Sequence, residues 1–173
     1  MYIVTSSIYI NYKKNNLNNN LQSILIMEEL NSNENSEEIL NVLPVLEKFP
    51  LKNIAIHARI GKQLYKGGVD LDAFQRCIEN TNHKLYYNGD ITSLESFNML
   101  HNRFPHIDHW MIGRALIADP FLPSMIKENN IHYPENRVEL FSHFIQELFE
   151  GYASALSGKS HVLTKMTSYW EYF

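Results

Sequence analysis

KLYYNGDITSLESF, residues 84–97, decides the fold class. Leu85, Tyr86 and Tyr87 form a short β-favouring run that ends in Asn88-Gly89-Asp90. Beyond Thr92 the apolar residues recur with helical rather than alternating spacing. A strand that passes through a small-residue loop into a helix is one βα unit, the repeating element of a parallel sheet. Asn-Gly is also the strongest short signal for a hairpin turn. The helical periodicity of TSLESFNML weakens the hairpin without removing it.

The same grammar extends to both sides. NIAIHA (53–58) reads as a strand and LDAFQRCIENT (71–81) as a helix; HWMIG (109–113) reads as a strand, and ALIADPFLPSMIKE (115–128) as a helix broken near Pro120. Upstream, SEEILNVLPVLEKF (36–49) predicts a helix capped by Ser36, with Pro44 an awkward guest inside it. Beyond Pro134 the pattern turns all-helical. Val138, Phe141, Phe144, Ile145, Leu148, Phe149, Tyr152 and Leu156 share one helical face, and Gly158 ends that helix before another begins behind Ser160. The first 35 residues differ: NYKKNNLNNN is asparagine-rich and ELNSNENSEE polar and acidic, with LQSILIM (21–27) between them as a strand or a helical turn.

These units predict an α/β chain: an incomplete TIM (β/α) barrel, its second half of parallel strands, followed by a C-terminal helical segment. The expected divisions are a divergent segment over 1–35, a half-barrel over 36–130 and a helical tail over 131–173. A whole eightfold barrel takes about 250 residues, and at least about 200; this chain has 173. With a net charge of -4 it carries no global footprint for nucleic acid. One cysteine excludes an internal disulfide framework and suits a reducing, cytoplasmic setting. There is neither a signal-peptide pattern nor an apolar run long enough to span a membrane.

Three strand-to-helix junctions carry candidate chemistry. Gly89 lacks a Cβ, so a phosphate or a polyol chain could approach the backbone there. Gly113-Arg114 ends one strand and opens a helix, joining a planar guanidinium to oriented N–H donors; an ordinary surface arginine is the plain alternative. His57 closes a strand and is followed by Arg59, Lys62 and Lys66 with no acid before Gly68. That loop could position an anionic backbone such as RNA, with Tyr65 stacking on a base, or be a solvated cationic loop. Cys77 falls on the apolar face of its helix and is expected to be buried. His101, His106 and His109 are expected to face solvent, and no metal-ligand spacing exists.

Together IHARIGKQLYKGGVDLDAF, YYNGDITSLESF and WMIGRALIADPFLP, with the closing LTKMTSYWEYF, resemble the tRNA-dihydrouridine synthase family. The resemblance implies an FMN-binding half-barrel and a tRNA-binding-type helical tail. It places His57 beside the flavin, with Asn88, Gly89, Asp90, Gly113 and Arg114 around its ribityl and phosphate groups. It places Tyr65 against the target uracil and Arg59 and Lys66 near the RNA. It further implies that NADPH reduces FMN and that a uridine of tRNA becomes dihydrouridine, a cysteine acting as general acid. That cysteine has no counterpart here, so no catalytic residue is assigned. The family's strand lysine is missing too, since no Lys or Arg occurs between Lys14 and Lys48. The chain is therefore expected to lack independent activity and to associate with itself or with a complementary half-barrel. A non-catalytic RNA-binding remnant and another FMN-phosphate barrel oxidoreductase are the alternatives.

Overall fold

A computed structural model describes residues 22–27, 38–57, 59 and 67–172. Four strands, β1 (Gln22–Met27), β2 (Leu51–His57), β3 (Leu85–Asn88) and β4 (Trp110–Met111), form one sheet in the order β1-β2-β3-β4. All three pairings are parallel. Each crossover contains a helix: α1 (Glu38–Leu46), α2 (Leu71–Glu79) and α3 (Leu94–Arg103). Parallel strands in sequential order with a helix in every connection are part of a (β/α) barrel, as the periodicity predicts. The hairpin alternative at Asn88-Gly89 fails, because β3 lies between two parallel neighbours. LQSILIM is resolved as a strand: β1 pairs along β2 from Gln22 to Met27, so part of what reads as a divergent segment belongs to the sheet. Ser36, the expected cap of α1, lies outside the described residues, and α1 continues through Pro44.

The chain divides into two compact units, residues 1–91 with 98–113 and residues 92–97 with 114–173. Gly113/Arg114 is the last of these boundaries along the chain. In the first unit, strand alternation puts Ile54, Ile56, Leu85 and Tyr87 on one face of the sheet. They meet Leu43, Phe74, Cys77 and Phe104, all buried. Phe74 sits edge-on to Tyr87 at 4.9 Å between ring centroids and to Phe104 at 5.1 Å, the T-shaped geometry that aromatic quadrupoles favour. α2 starts where Asp70, in extended conformation, accepts a 2.8 Å hydrogen bond from the Ala73 N–H. The opposite face carries Ala55, His57, Tyr86, Asn88, His109 and Met111 by the same alternation. Tyr86 and His109 stack there with centroids 4.3 Å apart. His109 is thus half-buried, contrary to the expected solvent exposure, whereas His101 and His106 are exposed.

In the second unit, Pro120 splits the expected helix into α4 (Arg114–Ala118) and α5 (Leu122–Glu128). Asp119 stabilises the break: its carboxylate accepts from the Phe121 N–H at 2.9 Å and from the Tyr133 hydroxyl at 2.8 Å. α6 (Arg137–Ala155) and α7 (Lys159–Thr167) follow, with Gly158 at φ +95 between them. α7 therefore begins two residues earlier than expected, capped at Gly158 with Ser160 inside it. The Tyr152 and Tyr169 hydroxyls hydrogen-bond at 2.6 Å. The apolar face predicted for α6 exists, yet no α6 residue is buried and Phe149 is half-exposed. Ile145, Phe149, Val162, Met166 and Trp170 line an open cavity of about 950 Å3 between α6 and α7. Among the described residues no helix is long and apolar enough to cross a membrane.

Candidate functional site

Parallel strands present their C-terminal ends on one edge of a sheet, and the loops leaving that edge form binding sites in barrel folds. In the first unit the register aligns His57 with Asn88 and Asn88 with Met111, so three strand ends stand side by side. The His57 Nδ1–H donates to the Asn88 carbonyl oxygen at 3.0 Å. A carbonyl can only accept, so Nδ1 carries the proton in this contact.

The loop after Asn88 has an unusual backbone. Gly89 has φ +151 and Asp90 φ +35, two successive residues in the region that L side chains seldom adopt. A Cβ on Gly89 would stand 3.1 Å from both Val69 methyls and 3.3 Å from the Tyr87 hydroxyl oxygen. The glycine is therefore required by its own backbone and by the floor beneath it. Asp90 is held from the side, where the Arg59 Nη2 donates to its Oδ2. A second strand-end bridge thus runs parallel to the one between His57 and Asn88.

The Arg59 side chain is only 4% exposed and ion-paired with Asp90, which turns it inward. The chain turns sharply to bring it there, with the Arg59 N–H donating to the His57 carbonyl at 2.8 Å. Arg59 Nε and Nη1 are buried without hydrogen-bond partners among the described residues, as is the Tyr87 hydroxyl. Burial, with the nearby Asp90 charge adding to it, pushes the Tyr87 phenol well above its ordinary range, so it stays protonated at any physiological pH.

Of the remaining candidates, Gly113 lies two residues past β4, with nothing within 4 Å of where its Cβ would be. Arg114 is the first residue of α4 and belongs to the second unit. Tyr65 and Lys66 lie outside the described residues, as does Lys62. Cys77 is buried on α2, packed against the core as expected. No group of three or more His, Cys, Asp or Glu side chains among the described residues could hold a metal ion. Sequence inspection misses Tyr87 and Val69 as the floor of the loop. The alternation rule gives a signal for Tyr87, since residue 87 must face away from Asn88 and toward the helices.

Residues 26–173 match the family model for dihydrouridine synthase (Dus). The chain belongs to the dihydrouridine synthase family. It is also 27% identical over 124 residues to a "tRNA-dihydrouridine(47) synthase [NAD(P)(+)]-like" protein of Arabidopsis thaliana; the match covers 67% of this chain and 18% of that protein. The chain thus spans less than a fifth of the length of that relative. Its architecture, an incomplete parallel α/β barrel with helices following, agrees with the family's TIM barrel.

Proposed function

We propose that this chain forms the FMN-facing second half of a tRNA-dihydrouridine synthase barrel, with a helical tail of the type that binds tRNA. The observation that carries the proposal is the pair of bridges from the end of β2 to the end of β3: the His57 ring on the Asn88 carbonyl and Arg59 on Asp90. The groups present suit the cofactor. The imidazole of His57, the amide of Asn88, the bare backbone of Gly89 and the open space at Gly113 match the polar edge and polyol chain of a flavin mononucleotide. Arg114, at the start of α4, would supply charge for its phosphate.

When bound, FMN supplies the two-electron chemistry that reduces the C5–C6 bond of uridine, with NADPH as the ultimate reductant. The chain's own residues orient and hold. His57 holds the Asn88 carbonyl, the Asn88 amide both donates and accepts, and Gly89 admits close approach. Arg59 acts inside the protein, while Tyr65 and Lys66 remain proposed contacts to RNA. Protonation of the substrate carbon needs an accessible acid, and Cys77, the sole cysteine, is sealed in the core. We therefore propose that a complementary half-barrel brings the acid, from another chain or from a longer form of this one. We place the protein in a reducing compartment, the cytoplasm, where a free thiol persists.

Titration with FMN tests the cofactor claim. Saturable quenching of flavin fluorescence, weakened in H57A, is expected; a flat titration overturns it. Incubation with NADPH and tRNA is expected to yield no dihydrouridine from this chain alone, and turnover would refute the need for a second half. A salt-steep tRNA complex in protein that ignores FMN would instead favour a non-catalytic RNA-binding remnant, a reading that the missing acid also supports.

A further inference from the structure

The buried ion pair at the strand ends calls for an explanation of its own. A guanidinium that is 4% exposed has one counter-ion, Asp90, and two nitrogens without partners among the described residues. Burying a charge that way is poor design for stability, since well-packed apolar side chains usually do as well or better. The backbone it grips supplies the reason. Asp90 is a non-glycine residue at φ +35, next to Gly89 at φ +151, and such a turn relaxes unless neighbouring contacts over-determine it. Gly89 is supported from below by Val69 and Tyr87, and Asn88 is held by His57. Asp90 is tied, across 31 residues of sequence, to Arg59.

We propose that Arg59 is a positioning residue that clamps Asp90 and thereby fixes the Asn88-Gly89-Asp90 loop in the shape its ligand needs, touching neither RNA nor cofactor. The proposal rests on the FMN reading only for the identity of the ligand; the clamp itself is a property of the unliganded chain. The contact is made by Nη2 alone, from a buried planar guanidinium whose orientation is fixed in a way that an ammonium's is not. Lysine at this position would keep the charge and lose the orientation.

Two readouts separate positioning from mere support. In protein without FMN, amide hydrogen exchange at Gly89, Asp90 and Ile91 reports loop order directly. The urea midpoint reports stability. In D90N and R59K the loop amides are expected to exchange faster, while Ile54 and Ile56 amides in β2 keep the parental rate. FMN affinity should fall by about 10–100-fold, the usual cost of losing a residue that orients a site. The double variant R59M/D90N removes both partners, so its urea midpoint is expected near the parental one while its loop stays loose. D90E, which keeps the carboxylate, should restore much of the loop protection. Should R59M alone fail to fold, D90N and R59K decide the matter. Parental loop exchange in D90N overturns the clamp. A parent that ignores FMN removes the cofactor reading and leaves the exchange test of the clamp intact.

Discussion

Replacing Gly89 by alanine tests the loop more sharply than any other single change. The backbone there has φ +151, a region that costs a residue with a Cβ about 1–3 kcal/mol. The added methyl also meets two Val69 methyls at 3.1 Å and the Tyr87 hydroxyl at 3.3 Å, so those side chains must yield by a few tenths of an ångström. Val69 is half-exposed and gives readily; Tyr87 is fully buried among Phe74, Phe104 and Trp110 and does not. A total of about 2 kcal/mol follows, the middle of the backbone range. It can surface in two ways. If G89A keeps the loop shape, the strain lowers unfolding free energy by about 2 kcal/mol. If the loop relaxes, stability is spared and a ligand must re-impose the shape, which weakens its binding about 30-fold at 1.4 kcal/mol per decade.

Urea unfolding and FMN fluorescence titration on the same preparation therefore measure two parts of one sum. G68A is the control, because nothing lies within 4 Å of a Cβ there and Gly68 is not at positive φ. It should be neutral or gain up to about 1 kcal/mol from a stiffer unfolded chain. A G89A protein that matches the parent in both urea midpoint and FMN affinity would refute the account of the loop.

Three further outcomes follow from the same structure. G113A meets open space within the protein, so its urea midpoint should match the parent while FMN affinity drops, because the new methyl occupies room assigned to the ligand; unchanged affinity would remove Gly113 from the site. Y87F deletes a buried hydroxyl without a partner among the described residues and should raise stability by about 1 kcal/mol in urea unfolding, whereas a loss would reveal a hydrogen bond the hydroxyl makes. Burial, aided by the hydrogen bond with Tyr152, pushes the Tyr169 phenol up to about 12. The fold thus holds that proton more tightly than the unfolded chain, which releases it near pH 10. Stability from this contact is complete below pH 10 and drains away between 10 and 12, so Y169F should show a shallower loss than the parent in alkaline thermal melts.

How much of this was legible beforehand depends on range. The βα units around Ile54, Leu85 and Met111 are local, set by a change of apolar period and a small-residue loop, and the structure reproduces each. Cys77 is likewise local, because its place on an apolar helical stripe decides its burial. β1 is ambiguous because its four apolar residues, Ile24 to Met27, between polar tracts favour a strand or a helix equally until a partner strand selects one. The pairing with β2 is that selection, and it is not local. The burial of Arg59 is hidden for a related reason. A cation in a basic loop reads as solvated, and only the 31-residue contact with Asp90 draws it inside. α6 shows the converse: its stripe of Val138, Phe141, Ile145 and Phe149 is real in the sequence, yet a stripe specifies a preference for burial and does not supply the surface to bury against.

The strand-end loop is shaped by contacts that involve no ligand: His57 to the Asn88 carbonyl, Arg59 to Asp90, and Val69 with Tyr87 under Gly89. Binding in such a site carries little cost of ordering, which is the main expense of association. Catalysis has a different requirement. It needs an acid within hydrogen-bond reach of the substrate, and the one thiol in the sequence is buried behind the sheet, on the face away from His57 and Asn88. On the proposed FMN reading, binding and turnover make separate demands: a pre-shaped loop needs only β2, β3 and the residues packed beneath them, whereas protonation by a thiol needs one that faces the substrate.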